Sequence, residues 1–397
     1  MRILFVCEQC NPDQPSVPLL GYHFYRTLRE RVDITLVTHG RNEEILRRHF
    51  PQDTIEFIRE SKVSTKYFKL FQPAPWALKH IFNYPLYEEF NRKVAYRLAP
   101  EIHKFDLVHA FTPIIPRYPY ALSKYLGNKP FLIGPVNGGL PFPQGYDDIA
   151  KAEGAQYNFI KKLNFLLPGY RYTYERANKV LVGSNHTLNE LKGLFPRTPY
   201  SYFAENGIDD AFFYDKQTNG KTILFVGRLT PYKGADILIE AIRDIPDARL
   251  LIAGDGPDKQ NLQKLIEKWN LSARVELVGF KKPNEMPDLY KNAQIFAFPS
   301  IREFGGAVVL EAMAASLPCV ITNYGGIAEY LPDNAGFKID LKPRPLFVND
   351  LKEKLTYLLN NPQQAQEMGQ KGHLAAQNYR WDKKADILVR LYRDLLI

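Results

Sequence analysis

Two stretches of the chain place charge and glycine where an apolar run ends. In Val226-Gly227-Arg228-Leu229-Thr230-Pro231-Tyr232-Lys233-Gly234, two cations stand five residues apart in a loop with a glycine at each end. Arginine grips phosphate oxygens with a planar fork and lysine acts as a point charge, so Arg228 and Lys233 suit a diphosphate. In Pro299-Ser300-Ile301-Arg302-Glu303-Phe304-Gly305-Gly306-Ala307, one carboxylate and two glycines precede the helix-forming run Val308–Ala314, and Glu311 lies inside that run. Gly305 and Gly306 bare backbone N–H groups at a helix start, where the amides and the dipole draw an anion. A carboxylate accepts hydrogen bonds from neighbouring hydroxyls, so Glu303 and Glu311 each suit a sugar ring. Glu311 among Val308, Val309, Leu310 and Met313 is costly if buried unpaired, and a bound diol would satisfy it.

Two further strand ends carry glycine: Ala253-Gly254-Asp255-Gly256-Pro257 and Leu277-Val278-Gly279-Phe280. Their backbone groups and apolar walls could hold a nucleotide base, or each could be a plain turn. In the first half, Gly134-Pro135-Val136-Asn137-Gly138-Gly139 ends another run. Asn137 there either reaches an acceptor or holds the turn.

Such residues must be carried by elements that converge. Ile3–Val6, Ile34–Val37, Leu107–Ala110, Phe131–Ile133 and Val180–Val182 are short branched runs bounded by turn signals, with a helix expected near 21–30. These read as buried strands alternating with helices, hence a parallel sheet covered on both faces. The pattern restarts at Thr222–Val226 and continues through Leu251–Ala253, Val275–Val278, Ile295–Phe298 and Cys319–Thr322. Helices are expected at 234–244, 258–270, 285–292 and 307–316. Ligands in such sheets bind where strands end and helices begin, which is where all the residues above fall. A last amphipathic helix presents Ala385, Leu388, Leu391 and Leu395 on one face. The expected organisation is α/β with two doubly wound, Rossmann-like domains facing a central cleft. The first spans residues 1–205, joined by a returning C-terminal helix at 378–397, and the second spans 206–377.

The chain has 397 residues and 45% hydrophobic content, enough for two cores. Its net charge of +9 lies almost wholly in residues 1–205, which points to an anionic partner for that half. Residues 59–104 hold nine Lys and Arg against four Asp and Glu, interleaved with Tyr67, Phe68, Phe71, Trp76, Phe82, Tyr84, Tyr87 and Phe90. Such a stretch either lies on an anionic membrane surface or packs as ordinary helices with solvated lysines. No nucleic-acid recognition motif accompanies it. Cys7 and Cys10 form C-x-x-C, but with three cysteines in all there is no second pair to complete a zinc site. A buried strand end is the plainer reading, and the low, odd count indicates a reducing compartment. The opening apolar run stops at Glu8, too short for a signal-peptide core, and no run of about 18 apolar residues occurs. The expected setting is cytoplasmic, with a peripheral position on the inner face of the membrane as an option.

Taken in order, residues 227–234 (G-R-L-T-P-Y-K-G), 253–257 (A-G-D-G-P), 277–280 (L-V-G-F), 298–314 (F-P-S-I-R-E-F-G-G-A-V-V-L-E-A-M-A) and 325–329 (G-G-I-A-E) resemble the C-terminal domain of glycosyltransferase family 4. The likeness spans about residues 205–335 and is looser in the first half, through Asp106–His109 and Val182–Ser184. It implies a retaining, metal-independent transfer of a hexosyl group from a nucleoside-diphosphate sugar, with the GT-B fold and no cofactor. It also implies that Arg228 and Lys233 bind the diphosphate and Glu303 the donor sugar. Glu311 would hold the ribose hydroxyls. Gly254, Gly279, Phe280, Phe304, Gly305, Gly306 and Ala307 would complete the donor site. Glu303, His109, Arg228 and Lys233 would stand nearest the reaction. Family members often carry a glycine pair after the first strand; here that loop runs from Glu8 to Pro18, and Gly21 follows in the next helix. Many also carry a histidine two residues beyond His109, where this chain has Phe111. His109 is therefore either near the reacting centre or a core histidine. Gly21, His109, Asn137 and Gly138 are the acceptor-side candidates.

A nicotinamide dehydrogenase would want G-x-G-x-x-G after the first strand, and no glycine occurs before Gly21. A silent scaffold would have no use for Arg228, Lys233, Glu303 and Glu311 together. The donor could carry UDP, GDP or ADP. A lipid, a glycan or a small molecule could accept the sugar.

Overall fold

A computed structural model describes residues 1–71, 76–154, 166–214 and 220–397, with backbone alone at 65, 68, 69, 71 and 76–82. The chain divides into two compact units. The first comprises Met1–Gly139, Ala150–Glu205 and Lys384–Ile397, and the second Leu140–Ile149 and Asn206–Lys383.

The first unit holds a seven-stranded sheet in the order β3-β2-β1-β4-β5-β6-β7. Its strands are β1 (Arg2–Val6), β2 (Asp33–His39), β3 (Ile55–Ile58), β4 (Leu107–Ala110), β5 (Phe131–Val136), β6 (Lys179–Val182) and β7 (Tyr200–Tyr202). Every pairing is parallel. The second unit holds six parallel strands in the order β10-β9-β8-β11-β12-β13. They are β8 (Thr222–Val226), β9 (Arg249–Ala253), β10 (Val275–Gly279), β11 (Ile295–Phe298), β12 (Cys319–Thr322) and β13 (Gly336–Ile339). This is the architecture expected from the alternating pattern.

Central strands are buried on both faces, as the continuous apolar runs require: β4, β5, β11 and β12 have no exposed residue. Three strands were not expected, and all lie at sheet edges. β3 (I-E-F-I), β7 (Y-S-Y) and β13 (G-F-K-I) bury two residues at most, so they lack the apolar run that marks a central strand.

In each sheet the strand order reverses once, between β1 and β4 and between β8 and β11. At such a switch point the loops leaving the two strands diverge to opposite faces and leave a crevice at the carboxyl ends. In the second unit those two loops are 227–234 and 299–306.

The last helix runs from Trp381 to Asp394. Its buried face is Lys384, Ala385, Leu388, Val389 and Tyr392, with Leu391 and Leu395 only partly covered. The face is turned from the expected one and brings Tyr392 to a buried hydrogen-bond partner, His109.

Candidate functional site

The loop leaving β8 is laced to the loop leaving β9. Leu229 donates its N–H to the Asp255 carbonyl at 3.0 Å, and Asp258 donates to the Leu229 carbonyl at 3.0 Å. Gly254, at φ +145°, would place a Cβ 1.8 Å from the Gly227 carbonyl oxygen. Its lack of a side chain therefore serves this close approach rather than leaving a free face for a base. The loop then makes a short turn, Pro231–Lys233, and Gly234 adopts the left-handed conformation that opens helix Ala235–Arg243.

Lys233 points back over the strand ends. Its ammonium lies 5.3 Å from the centre of the Phe298 ring and donates to the Glu303 carboxylate. Both side chains are largely buried, at 14% and 12% exposure. Burial works against the lysine charge, but the Glu303 carboxylate outweighs it and holds the ammonium above its ordinary range. Arg228 is exposed, and its charge acts on Lys233 in the opposite sense to Glu303. The structure thus brings Arg228, Lys233 and Glu303 together at the switch point.

The loop leaving β11 is pinned by Ile301, whose N–H donates to the Tyr232 carbonyl at 2.8 Å. Gly306 is left-handed, at φ +44°, and a Cβ there would lie 2.3 Å from the Ile327 side chain. Helix Ala307–Ala314 starts from it with no side-chain cap, so its first amides are free of side-chain acceptors. Gly305 is buried beneath, while Ala307 and Phe304 are half-buried. Glu311 accepts a hydrogen bond from the Tyr290 hydroxyl at 2.7 Å. Burial pushes the Glu311 carboxyl up to about 7; the Tyr290 bond opposes this and the Asp209 charge adds to it. Tyr290, from helix Met286–Asn292, is fully buried. No sequence reading singled it out, because a tyrosine in a helix looks like any packing residue.

Gly279 is left-handed with open space where a Cβ would stand. It follows a register shift between β10 and β9. Phe280 beside it is 70% exposed, so its ring is available to a ligand.

The acceptor-side candidates all make contacts within the first unit. His109 is fully buried. Its Nε2–H donates to the Gly134 carbonyl at 2.6 Å, so Nδ1 accepts from the Tyr392 hydroxyl at 2.6 Å. Burial pushes its pKa down to about 4, against the Gly134 bond. Both ring nitrogens of His109 are thus occupied inside the core. Asn137 is 4% exposed. It accepts from Ser184 at 2.8 Å and donates to Glu205 at 2.8 Å, tying together the ends of β5, β6 and β7. Gly138 donates its N–H to Thr187 at 3.0 Å. A Cβ at Gly21 would lie 2.5 Å from the Cys7 sulfur, so this glycine lets the helix pack on the loop. Cys7 and Cys10 are buried free thiols, and the described residues contain no group of three or more potential metal ligands.

The structure gathers a set not anticipated at the carboxyl ends of β1 and β2. His39 Nε2 lies 3.2 Å from Glu8 and its Nδ1 3.4 Å from Glu60, while Arg41 lies 3.4 Å from Glu60. Nothing in the spacing of these residues predicts their meeting, because parallel pairing brings them together.

The basic, aromatic stretch forms helices Lys62–Phe71 and Trp76–Leu98. Tyr87 and Phe90 are buried in the core, which removes them from any surface. Tyr67 and Tyr84 are half-buried, while the side chains of Phe68, Phe71, Trp76 and Phe82 lie outside the described residues. Among the described residues no helix is long and apolar enough to cross a membrane.

Residues 208–374 match the family model described as glycosyl transferases group 1. An uncharacterized glycosyltransferase of Methanocaldococcus jannaschii is 29% identical over 335 residues, covering 80% of this chain and 90% of that protein. The sulfoquinovosyl transferase of Arabidopsis thaliana is 30% identical over 159 residues, covering 40% of this chain and 30% of that protein. Among solved structures, sucrose-phosphate synthase from Thermosynechococcus elongatus matches with a TM-score of 0.69 at 19% identity, over 99% of this chain and 98% of that one. HepE of Anabaena, solved in complex with UDP, matches with a TM-score of 0.67 at 17% identity, over 99% and 100%.

Proposed function

We propose, from the premise that this chain is a GT-B glycosyltransferase whose residues 208–374 form a glycosyl transferases group 1 domain, that it moves a hexosyl group from a UDP- or GDP-sugar to a lipid-linked, glycan or small-molecule acceptor. The transfer retains anomeric configuration and needs no metal, in the manner of family 4. The observation that carries this reading is the convergence of Lys233, Glu303 and an uncapped helix start at the β8/β11 switch point.

Each part has a role that its chemistry fits. Arg228, Lys233 and the amides of helix 307–314 neutralise the diphosphate and the charge that grows on it as the sugar departs. The bond from the anomeric carbon to the phosphate oxygen breaks, and a bond from that carbon to the acceptor oxygen forms on the same face. The acceptor proton passes to the leaving phosphate. With Lys233 drawn to phosphate, Glu303 is released to accept hydrogen bonds from the sugar hydroxyls. Glu311 takes the ribose diol, which completes the acceptors of a buried carboxylate, and Phe280 offers a wall to the base. HepE is also solved with UDP-glucose, which makes that the first donor to test.

The basic excess of residues 1–205 supports a cytoplasmic enzyme resting on an anionic membrane surface. The exposed lysines and arginines of 59–104 supply the contact. The direct experiment is a panel of nucleotide sugars scored by thermal shift, followed by assignment of the product anomer by NMR. A preferred UDP- or GDP-sugar and a product of unchanged anomeric configuration are expected. An inverted product would refute the retaining mechanism, and a flat panel would refute donor binding.

A further inference from the structure

The segment Leu140–Ile149 follows β5 in sequence but belongs to the second unit. Its first three residues touch the loops leaving β11 and β12. The Leu140 carbonyl accepts a hydrogen bond from Arg302 Nε at 2.7 Å. The Arg302 guanidinium lies over two rings, Phe142 at 4.7 Å and Phe304 at 4.9 Å. The Pro141 carbonyl accepts from the Tyr324 hydroxyl at 3.0 Å.

These contacts bracket Glu303. On one side, Arg302 is held by a charge-assisted hydrogen bond and by cation–π contact. On the other, the Glu303 carbonyl accepts the Gly326 N–H at 3.1 Å. A Cβ at Gly325 would lie 2.1 Å from that same carbonyl oxygen and 2.7 Å from the Leu140 side chain. Leu140 therefore packs on both loops whose meeting fixes the Glu303 backbone.

We propose that Arg302, held by Leu140 and Phe142, is a positioning residue for Glu303, and that residues 140–142 set how tightly the enzyme holds the donor's sugar as distinct from its nucleotide. The inference rests on the assignment of Glu303 to the donor sugar. Arg302 itself touches no substrate in this account. Its loss lets the 302–304 backbone relax and shifts the carboxylate, while Lys233, Glu311 and the helix start keep their places. The consequence is selective: binding of the whole donor weakens and binding of the bare nucleotide does not.

The test is calorimetric measurement of Kd for UDP and UDP-glucose, with GDP and GDP-mannose in parallel. The proteins are the wild-type chain, Arg302→Ala, Arg302→Lys and Phe142→Leu, each shown to be folded by its melting curve. Phe142→Leu keeps the apolar packing but removes the ring under the guanidinium. The ratio of Kd for nucleotide sugar to Kd for nucleotide should rise about ten-fold in Arg302→Ala, with the nucleotide Kd within about two-fold of wild type. Phe142→Leu should move the ratio the same way, and Arg302→Lys should recover part of it. Equal weakening of both ligands, or an unchanged ratio in folded variants, would overturn the positioning role alone. A wild-type chain that binds neither nucleotide pair would overturn the donor site itself, and this inference with it.

Discussion

Lys233 and Glu303, seventy residues apart, form a largely buried ion pair across the crevice where β8 and β11 part. In the proposed donor site each is the group the other's ligand must displace. A diphosphate would compete for the ammonium and sugar hydroxyls for the carboxylate, so donor binding would exchange one set of partners for another rather than fill an inert pocket.

Removing one member of the pair is therefore more harmful than removing both. Lys233→Ala leaves a buried carboxylate without its cation, which is strongly destabilising, whereas losing both charges costs less. The melting temperature of Lys233→Ala should lie below that of the Lys233→Ala/Glu303→Ala double variant. Transfer by the single variant should fall about a hundred-fold or more, for the loss of about 3 kcal/mol of charge stabilisation. Near-normal transfer by Lys233→Ala would remove this residue from the mechanism.

If Glu311 takes the ribose diol as proposed, its titration should make nucleotide binding depend on pH. With its carboxyl pushed up to about 7 by burial, it is partly protonated at neutral pH, while a ribose diol donating two hydrogen bonds favours the ionised form. Nucleotide affinity should rise with pH through 7, and binding should release a proton, seen by calorimetry in buffers of different ionisation enthalpy. For the free enzyme the sign is opposite. A raised carboxyl pKa means that the folded state holds the extra proton. This stabilisation is complete below the unfolded value, about 4.5, and is lost as pH rises through about 7. Glu311→Gln should flatten both profiles.

His109 should matter to stability and not to chemistry. Tyr392→Phe removes the donor to Nδ1 and should cost about 1 kcal/mol, with kcat unchanged in the folded fraction. Because burial holds the imidazole neutral down to about pH 4, its contribution is complete above the unfolded value near 6.5 and is lost as pH falls through about 4. A kcat pH profile that Tyr392→Phe displaces would give His109 a role in the reaction.

Chelation checks the metal-free chemistry. If Arg228, Lys233 and the helix amides carry the diphosphate charge as proposed, transfer should be unchanged after dialysis against EDTA. Activity lost on chelation and restored by a divalent cation would contradict this.

The second unit was readable because its candidate ligand groups sit in the loops that follow continuous apolar strands. In 226–234 and 298–314 the signals for strand, turn and anion coincide in one stretch of chain. The first unit was less readable for a physical reason. A strand-end residue can face a ligand or the core, and the difference is decided by a distant partner. His109 turns inward to Tyr392, 283 residues away, and Asn137 to Glu205, 68 residues away. Glycines are ambiguous in the same manner, since Gly21 and Gly254 make room for other parts of the chain. The edge strands β3, β7 and β13 escaped because they are too shallowly buried to need an apolar run.

A co-crystal structure with the nucleotide sugar preferred in the thermal-shift panel bears most directly on the exchange of partners. Lys233 should be found within about 4 Å of a diphosphate oxygen, with Glu303 turned to the sugar hydroxyls and Glu311 on the ribose. A bound donor with Lys233 still on Glu303, and its diphosphate remote from both Lys233 and Arg228, would contradict it.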